Sequence, residues 1–416
     1  MAAPSNLNES SIMSLIRPFR GLRPQPSRAA ELLAPPYDVV NTAEARRLAE
    51  GKPCHFLHVS RAEIDLPEDI DPHDDRVYRQ AARVFSAWIN DAVLIRDEQP
   101  CYYVYRLVMD GRTQIGLVAA ASVAAYQANR IRRHEWTRPD KEDDRVRHIE
   151  ALSAQTGPVL LFYPASPEID RLLAGLVESP PAMDVTAHDG VRHSVWVVTD
   201  ATAITTLTAA FEALPALYIA DGHHRSAAAA RIADKQPDAA ARAGFLTVCF
   251  PHHQMHIMEY NRLVRDLNGH TPASLLDGIR QHFQVDALPE RFKPAASGTF
   301  GLYLESSWYR LSIRPERIPA DPVGRLDVSL LHRYLIEPLL GIHDPRRDQR
   351  IDFVGGIRGL AELEARVDSG AMALGFALYP TRITDLMAVA DAGEVMPPKS
   401  TWFEPKLADG AVSLVY

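Results

Sequence analysis

Apolar and polar residues alternate between two rhythms along this chain. Helical spacing of apolar positions runs through DRVYRQAARVFSAWINDAVL (75–94), TPASLLDGIRQHF (271–283) and DVSLLHRYLIEPLL (327–340). Short apolar runs bounded by turn residues read as strands: CHFLHVS (54–60), GPVLLFYPA (157–165), HSVWVVTD (193–200) and MALGFALYP (372–380). PCYYVYRLVM and TQIGLVAAASVAAY form a strand pair turning near Asp110-Gly111, and TFGLYLESSWYRLSI reads as a hairpin. GFLTVCFPHHQMHIMEYNRLV holds two further strand-like pieces. In AAELLAPPYDVVNTAEARRLAEG a Pro-Pro turn precedes an extended piece and a helix, capped by Asn41 or Thr42 with Glu44 in its first turn. Strands and helices alternate irregularly. The pattern predicts a mixed α/β (α+β) protein rather than a doubly wound sheet.

At 416 residues the chain is long for one domain. A soft boundary near residue 240 predicts an N-terminal lobe over 15–240 and a C-terminal lobe over 241–416, with residues 1–14 disordered. The 31 prolines and 22 glycines cluster into ordered connections. The composition, 46% apolar and 24% charged, is that of a globular protein. A net charge of −8 argues against a nucleic-acid-coating protein. Cys54, Cys101 and Cys249 show no metal spacing and read as reduced core thiols of a cytoplasmic protein. No apolar run reaches transmembrane length.

The most informative stretch is LYIADGHHRSAAAARIA (217–233). Four apolar residues end in Asp221-Gly222, and an alanine-rich helix follows Ser226. A strand, a tight glycine turn and a helix start bring His223, His224 and Arg225 to free backbone N–H groups and the positive end of a helix dipole. Such a place binds phosphate or another anion. Gly222 lets the backbone approach a ligand, Arg225 supplies an exposed bidentate clamp, and the histidines donate hydrogen bonds or move protons. Asp221 repels a bare phosphate and is better suited as the base for a hydroxyl, or as the holder of a metal or a histidine. The alternative is an Asp cap followed by solvent-facing polar residues. Neither a Walker A nor a GxGxxG pattern occurs.

ADGHHRSAAA resembles the phosphate-binding signature of the ParB/sulfiredoxin-like superfamily, a Gly-x-x-Arg-x-x-Ala pattern opening a helix. It is most similar to the Asp-Gly-His-x-Arg form of that group's free serine kinases. The chain as a whole resembles domain-of-unknown-function family 1015. APPYDVV, RHEWTRPDKEDDR, YIADGHHRSAAA, LDVSLL, IDFVGG and MPPKSTWFEPKL carry this likeness, in that order from Ala34 to Leu407. The resemblance implies a ParB/sulfiredoxin-like phosphate-binding element within a two-lobed protein. It also implies phosphoryl transfer between serine or phosphoserine and a nucleotide, ADP or ATP, with Mg2+ carried in by the nucleotide. Two other readings remain open: a phosphoserine phosphatase without nucleotide, and a non-enzymatic nucleotide-binding regulator. No nucleic-acid or membrane partner is implied.

In RRHEWTRPDKEDDRVRHIEALSA (132–154), Thr137 and Asp140 resemble a capping box with Pro139 in the first turn. Val146, Ile149 and Leu152 share one face of the helix; Asp140, Asp144 and Arg147 fall on the opposite, wet side. Glu142 and Arg145 fall beside the apolar face and pair with each other or meet a ligand. His134, Thr137 and Lys141 join Gly222, His224, Arg225 and Ser226 as candidate substrate contacts. The free serine kinases use an upstream glutamate on the substrate hydroxyl, a role for which Glu135 is the first candidate and Glu142 the second. Asp221, His223 and Glu135 are the candidate catalytic set. Tyr37 and Asp38, after two prolines, cap a turn or, by analogy with the superfamily, face the site. MPPKSTWFEPKL (396–407) reads as a proline-stiffened loop. Lys399, Ser400, Thr401 and Lys406 there meet nucleotide phosphates, and Trp402 or Phe403 stacks on a base or pins the tail. HHQMH lacks further ligands at metal spacing; Asn261 and Arg262, just beyond it, are better anion contacts.

Overall fold

A central mixed sheet carries the residues singled out at the Asp221 turn. Its strands lie in the spatial order Ile131–Arg132, Leu217–Asp221, Val159–Tyr163, Gly244–Pro251, Arg112–Ser122, Tyr102–Met109, Arg192–Val198 and Met183–Thr186, with Ile16–Arg17 paired to Arg112–Ser122. Leu217–Asp221 runs parallel to Ile131–Arg132 and antiparallel to Val159–Tyr163. The pairing of Leu217–Asp221 with Val159–Tyr163 shifts register between Ile219 and Asp221, at the site end of the strand. The computed structural model describes residues 14–236, 239 and 242–416. The N-terminal stretch expected to be disordered thus lies, apart from Ser14, outside the described residues.

The chain divides into two units. The first runs to Met255 and takes in Pro405–Tyr416; the second is His256–Glu404. The first unit reclaims the C-terminus through a small sheet, in which Ser413–Val415 lies between Gly21–Pro24 and Ala154–Gln155. An isolated bridge between Ala34 and Asp409 fixes the approach to that strand. The second unit is built on an antiparallel sheet ordered Phe283–Leu288, Ser307–Ile313, Thr299–Leu304, Leu374–Ala377, Tyr260–Val264 and Ile351–Gly355. The mixed α/β class read from the patterning is therefore observed.

Most elements follow their patterns. The helix Asp75–Asn90 buries Val77, Tyr78, Ala81, Phe85 and Trp88 on one face. Asn41 caps Thr42–Ala49 in a reciprocal capping box with Glu44. All three cysteines are free and buried. CHFLHVS differs: Leu57–Ser60 is a helical turn, not a strand. Phe56, Leu57 and Val59 are all buried, and a short, continuously apolar run carries no period to separate strand from helix. MPPKSTWFEPKL is not one loop. Trp402–Glu404 forms a strand with His256–Met258, and the chain changes unit at Pro405. Among the described residues, no helix is long and apolar enough to cross a membrane.

Candidate functional site

The strand Leu217–Asp221 ends where the helix His223–Lys235 begins, and Gly222 makes the junction with φ 97°. That left-handed conformation suits glycine. A Cβ there would also sit 3.2 Å from Val159 Cα and 3.1 Å from Arg225 Cζ. No side chain caps the helix start, so its first N–H groups stay available to an anion. Asp221 Oδ1 instead accepts the Gly222 N–H at 2.9 Å. Its Oδ2 faces Arg225 Nη2 at 3.4 Å and Lys406 Nζ at 3.8 Å. Burial opposes ionisation of Asp221, but Lys406 and then Arg225 hold its carboxyl well below the ordinary range.

Arg225 is not the exposed clamp expected at a helix start. It is buried, folds back beneath Gly222 and donates through Nη1 to Pro158 O. Asp38 Oδ2 lies 3.9 Å from its Nη2. Burial disfavours its charge, yet Asp221 and Asp38 outweigh that and raise its pKa. Its Nε has no hydrogen-bond partner among the described residues.

The two histidines hold a neighbouring segment. His223 Nε2 accepts the His134 backbone N–H at 3.4 Å, and His224 Nε2 accepts that of Arg138 at 3.1 Å. Both rings therefore carry their proton on Nδ1. His223 Nδ1 lies 3.9 Å from Glu135 Oε2. The His134 ring packs edge-on against His223 at 4.5 Å between centroids. Burial, then the neighbouring His134, pushes the His223 pKa well below its usual value, and burial lowers His134 to about 4. The site's histidines are neutral at physiological pH. Segment 134–138, with half-buried Glu135 and Thr137, is thus hooked over the start of the Asp221-Gly222 helix.

The helix Pro139–Leu152 has Arg138 as its N-cap and no side-chain cap, so the Thr137–Asp140 capping box does not form. Val146, Ile149 and Leu152 are buried as the spacing predicts, the first two clustering with Ala228 and Ile232. The opposite face is not wet throughout. Asp144 is buried, accepting from Tyr78 Oη at 2.7 Å and from Arg145 Nε and Nη2 at 2.8 and 2.5 Å. Burial opposes its charge, but Arg145 and Tyr78 hold it down at about 2. The cause is tertiary: Tyr78 and Val59, on helices earlier in the chain, cover this face, and Val59 O binds His148 Nε2 at 3.0 Å. Glu142 and Arg145 consequently do not pair. Glu142 meets Arg231 at 3.3 Å, while Arg145 lies over the Tyr37 ring at 3.7 Å. Lys141 is exposed on the first turn. Ser226 is buried, and its hydroxyl donates to His223 O at 3.0 Å.

Asp409, which the motif reading passed over, is 1% exposed; the Ser60 hydroxyl lies close enough to act on its carboxyl, without meeting hydrogen-bond geometry at either oxygen. With Tyr37, Ser60, Arg145, Gly157 and Arg225 it lines a cavity of about 20 Å3. Burial pushes its pKa up to about 7 against the pull of Arg225 and Arg145. The sequence signal was an Asp-Gly turn after EPKLA; nothing in it pointed back to the first unit.

The remaining candidates belong to the second unit. Asn261 is fully buried and accepts the Leu378 N–H at 3.0 Å. Buried Arg262 donates to Tyr260 O and, at 3.0 Å, to Lys399 O. Lys399 lies over the Tyr260 ring at 5.5 Å. The Ser400 hydroxyl donates to Pro397 O at 2.6 Å, and half-buried Thr401 follows it. Phe403 is buried, and Trp402 packs edge-on against Tyr260, which matches the pinning alternative better than a base-stacking platform. Of the residues expected on one phosphate-binding loop, only Lys406 belongs to the unit that carries Asp221.

The model of the family described as protein of unknown function (DUF1015) matches residues 16–329, most of the chain. No curated protein matches it. Among solved structures it is similar to a free serine kinase in complex with AMP, at 12% identity and TM-score 0.33, over 69% of this chain and 86% of that one. It is also similar to a conserved hypothetical protein from Pyrococcus furiosus, at 13% identity and TM-score 0.34, over 71% and 93%. A third is SbnI with a C-terminal truncation from Staphylococcus aureus, at 11% identity and TM-score 0.37, over 71% and 87%. The chain belongs to the DUF1015 family.

Proposed function

We propose that this DUF1015 protein is a small-molecule phosphotransferase, moving a phosphoryl group between serine or phosphoserine and an adenine nucleotide. The observation that carries the reading is the Asp221–Arg225 junction. An uncapped helix start, a left-handed glycine, a buried arginine and an ionised aspartate meet within one turn. Phosphoryl transfer needs aligned positive charge and N–H donors more than covalent chemistry. In this reading the N–H groups at the start of His223–Lys235 receive the phosphoryl oxygens, with Arg225 and Lys406 balancing their charge. Asp221, held ionised, orients the serine hydroxyl. Glu135, beside His223, takes the hydroxyl proton. The neutral histidines keep segment 134–138 in place; they do not supply positive charge.

The described residues contain no group of three or more His, Cys, Asp or Glu able to hold a metal ion. Mg2+ would accompany the nucleotide phosphates, where it would neutralise their charge. The ParB/sulfiredoxin-like relationship and the serine specificity belong to the same proposal and rest on the DGHHR motif and its surroundings.

The test is phosphorus NMR of the full-length protein with phosphoserine and Mg2+, with and without ADP. Loss of phosphoserine only with ADP, with ATP appearing, is expected. Phosphate release without ADP would make the protein a phosphatase. No change in either sample would overturn the reading and leave the binding-protein alternative.

A further inference from the structure

The proposed transfer uses the mouth of the junction and leaves Asp409 without a task. A carboxylate this buried, with neither oxygen in a well-formed hydrogen bond and only the Ser60 hydroxyl near enough to act on it, is uncommon in a native protein and calls for a reason. The backbone fixes it firmly. Ala34 N donates to Asp409 O at 3.2 Å, Asp409 N donates to Ala34 O at 2.9 Å, and Gly410 follows with φ 87°. The side chain faces Arg225 across Gly157. A Cβ on Gly157 would lie 3.2 Å from Asp409 Oδ1 and 3.9 Å from Arg225 Nη1. That position suits the absence of a side chain.

The charged side chains in the lining of this cavity are Arg145, Arg225 and Asp409. The cavity holds about 20 Å3, room for one water-sized group, which is the size of an ammonium. A second cavity of about 60 Å3 shares Tyr37, Ser60, Arg145 and His148 with it. Arg145 stands on both. Its Nε and Nη2 donate to Asp144, and its guanidinium lies over the Tyr37 ring.

We propose that Asp409 and Arg145 form the head-group subsite of the site described above: Asp409 receives the α-ammonium of an amino-acid substrate, and Arg145 its α-carboxylate. The assignment rests on the phosphotransferase reading and deepens it. It makes the substrate an α-amino acid or its phosphate ester rather than a simple hydroxy acid. In the free protein Asp409 holds a proton on the acid side of neutrality, and an arriving ammonium displaces it. Binding on the acid side of neutrality therefore releases a proton. Ammonium recognition also favours Asp409 over the anion-binding arginines as the source of selectivity. A buried acceptor left unpaired by the wrong ligand discriminates strongly.

The test is isothermal titration calorimetry of the full-length protein with O-phospho-L-serine and with 3-(phosphonooxy)propanoate, the same molecule without its ammonium. The two ligands are run against wild type and Asp409→Asn, with circular dichroism to check that the variant folds. Wild type should prefer phosphoserine by about 100-fold or more, and the isosteric variant should lose that preference while still binding the propanoate. Titrations in buffers of different ionisation enthalpy near pH 6 should show more proton release in wild type than in the variant, the phosphate ester, whose second pKa is about 6, contributing equally to both. Equal affinity of wild type for the two ligands would overturn the proposal, and so would a variant that keeps the preference. Either result leaves the phosphotransferase reading standing, because phosphoserine still binds. Failure of wild type to bind either ligand would overturn both.

Discussion

Replacing Asp409 with asparagine isolates one buried titration. In the folded protein burial raises this carboxyl from its ordinary 3.8 to about 7. Between those values the folded state binds a proton that the unfolded chain has released. Stability contributed by the proton is complete below the unfolded value and is lost as pH rises towards the folded one. Each tenfold change in proton affinity is worth about 1.4 kcal/mol, so the loss from about pH 5 to about pH 8 is about 3 kcal/mol. Buried His134 and His148, both lowered by burial to about 4, act in the opposite sense, since their unfolded forms gain protons as pH falls from neutral. Wild type and variant share those histidines. The difference between the two proteins therefore reports Asp409. Urea unfolding of the first unit, followed by amide exchange in peptides covering Val159–Tyr163 and Leu217–Asp221, provides the readout. Asp409→Asn should gain about 3 kcal/mol on wild type between the two pH values. Parallel pH profiles would refute the reasoning, because Asp409 would then titrate alike in the folded and unfolded chain.

Three further outcomes follow from the junction. Arg225→Lys keeps the charge but loses the planar fork beneath Gly222, and should cut turnover of phosphoserine with ADP by about 100-fold; full activity would remove Arg225 from the phosphoryl site. Gly222→Ala must hold an alanine at φ 97° and should cost about 1–2 kcal/mol from the backbone alone, lowering the thermal midpoint; an unchanged midpoint would mean the turn relaxes. His224→Ala removes the acceptor for the Arg138 N–H, a bond worth about 1 kcal/mol, so exchange of that amide should quicken about fivefold; unchanged protection would show that segment 134–138 is held by other contacts.

The asparagine cap of Thr42–Ala49, the amphipathic helix Asp75–Asn90 and the strand-turn-helix at Asp221 were legible in the sequence because each is encoded by residues a few positions apart. Errors arose where a second element supplied the environment. Asp144 and Arg147 look alike on a helical wheel, yet Tyr78 and Val59 cover the face that carries Asp144. Glu142 finds Arg231 instead of Arg145 for the same reason. Leu57–Ser60 shows the lower limit of pattern reading, since four buried positions have no measurable period.

By itself the sequence determined the α/β class, the glycine turn between strand and helix, and the supply of charge around it. These depend on local propensity and on spacing. The tertiary structure decided where the charges went. It turned Arg225 inward, spent the Nε2 atoms of His223 and His224 on holding segment 134–138, and returned the chain after Glu404 to the first unit. That return brings Lys406 to Asp221 and buries Asp409 beside Ala34. A carboxylate's ionisation depends on the groups within a few ångströms, and for Asp409 these include Arg225, Asp38 and Arg145, hundreds of residues away along the chain.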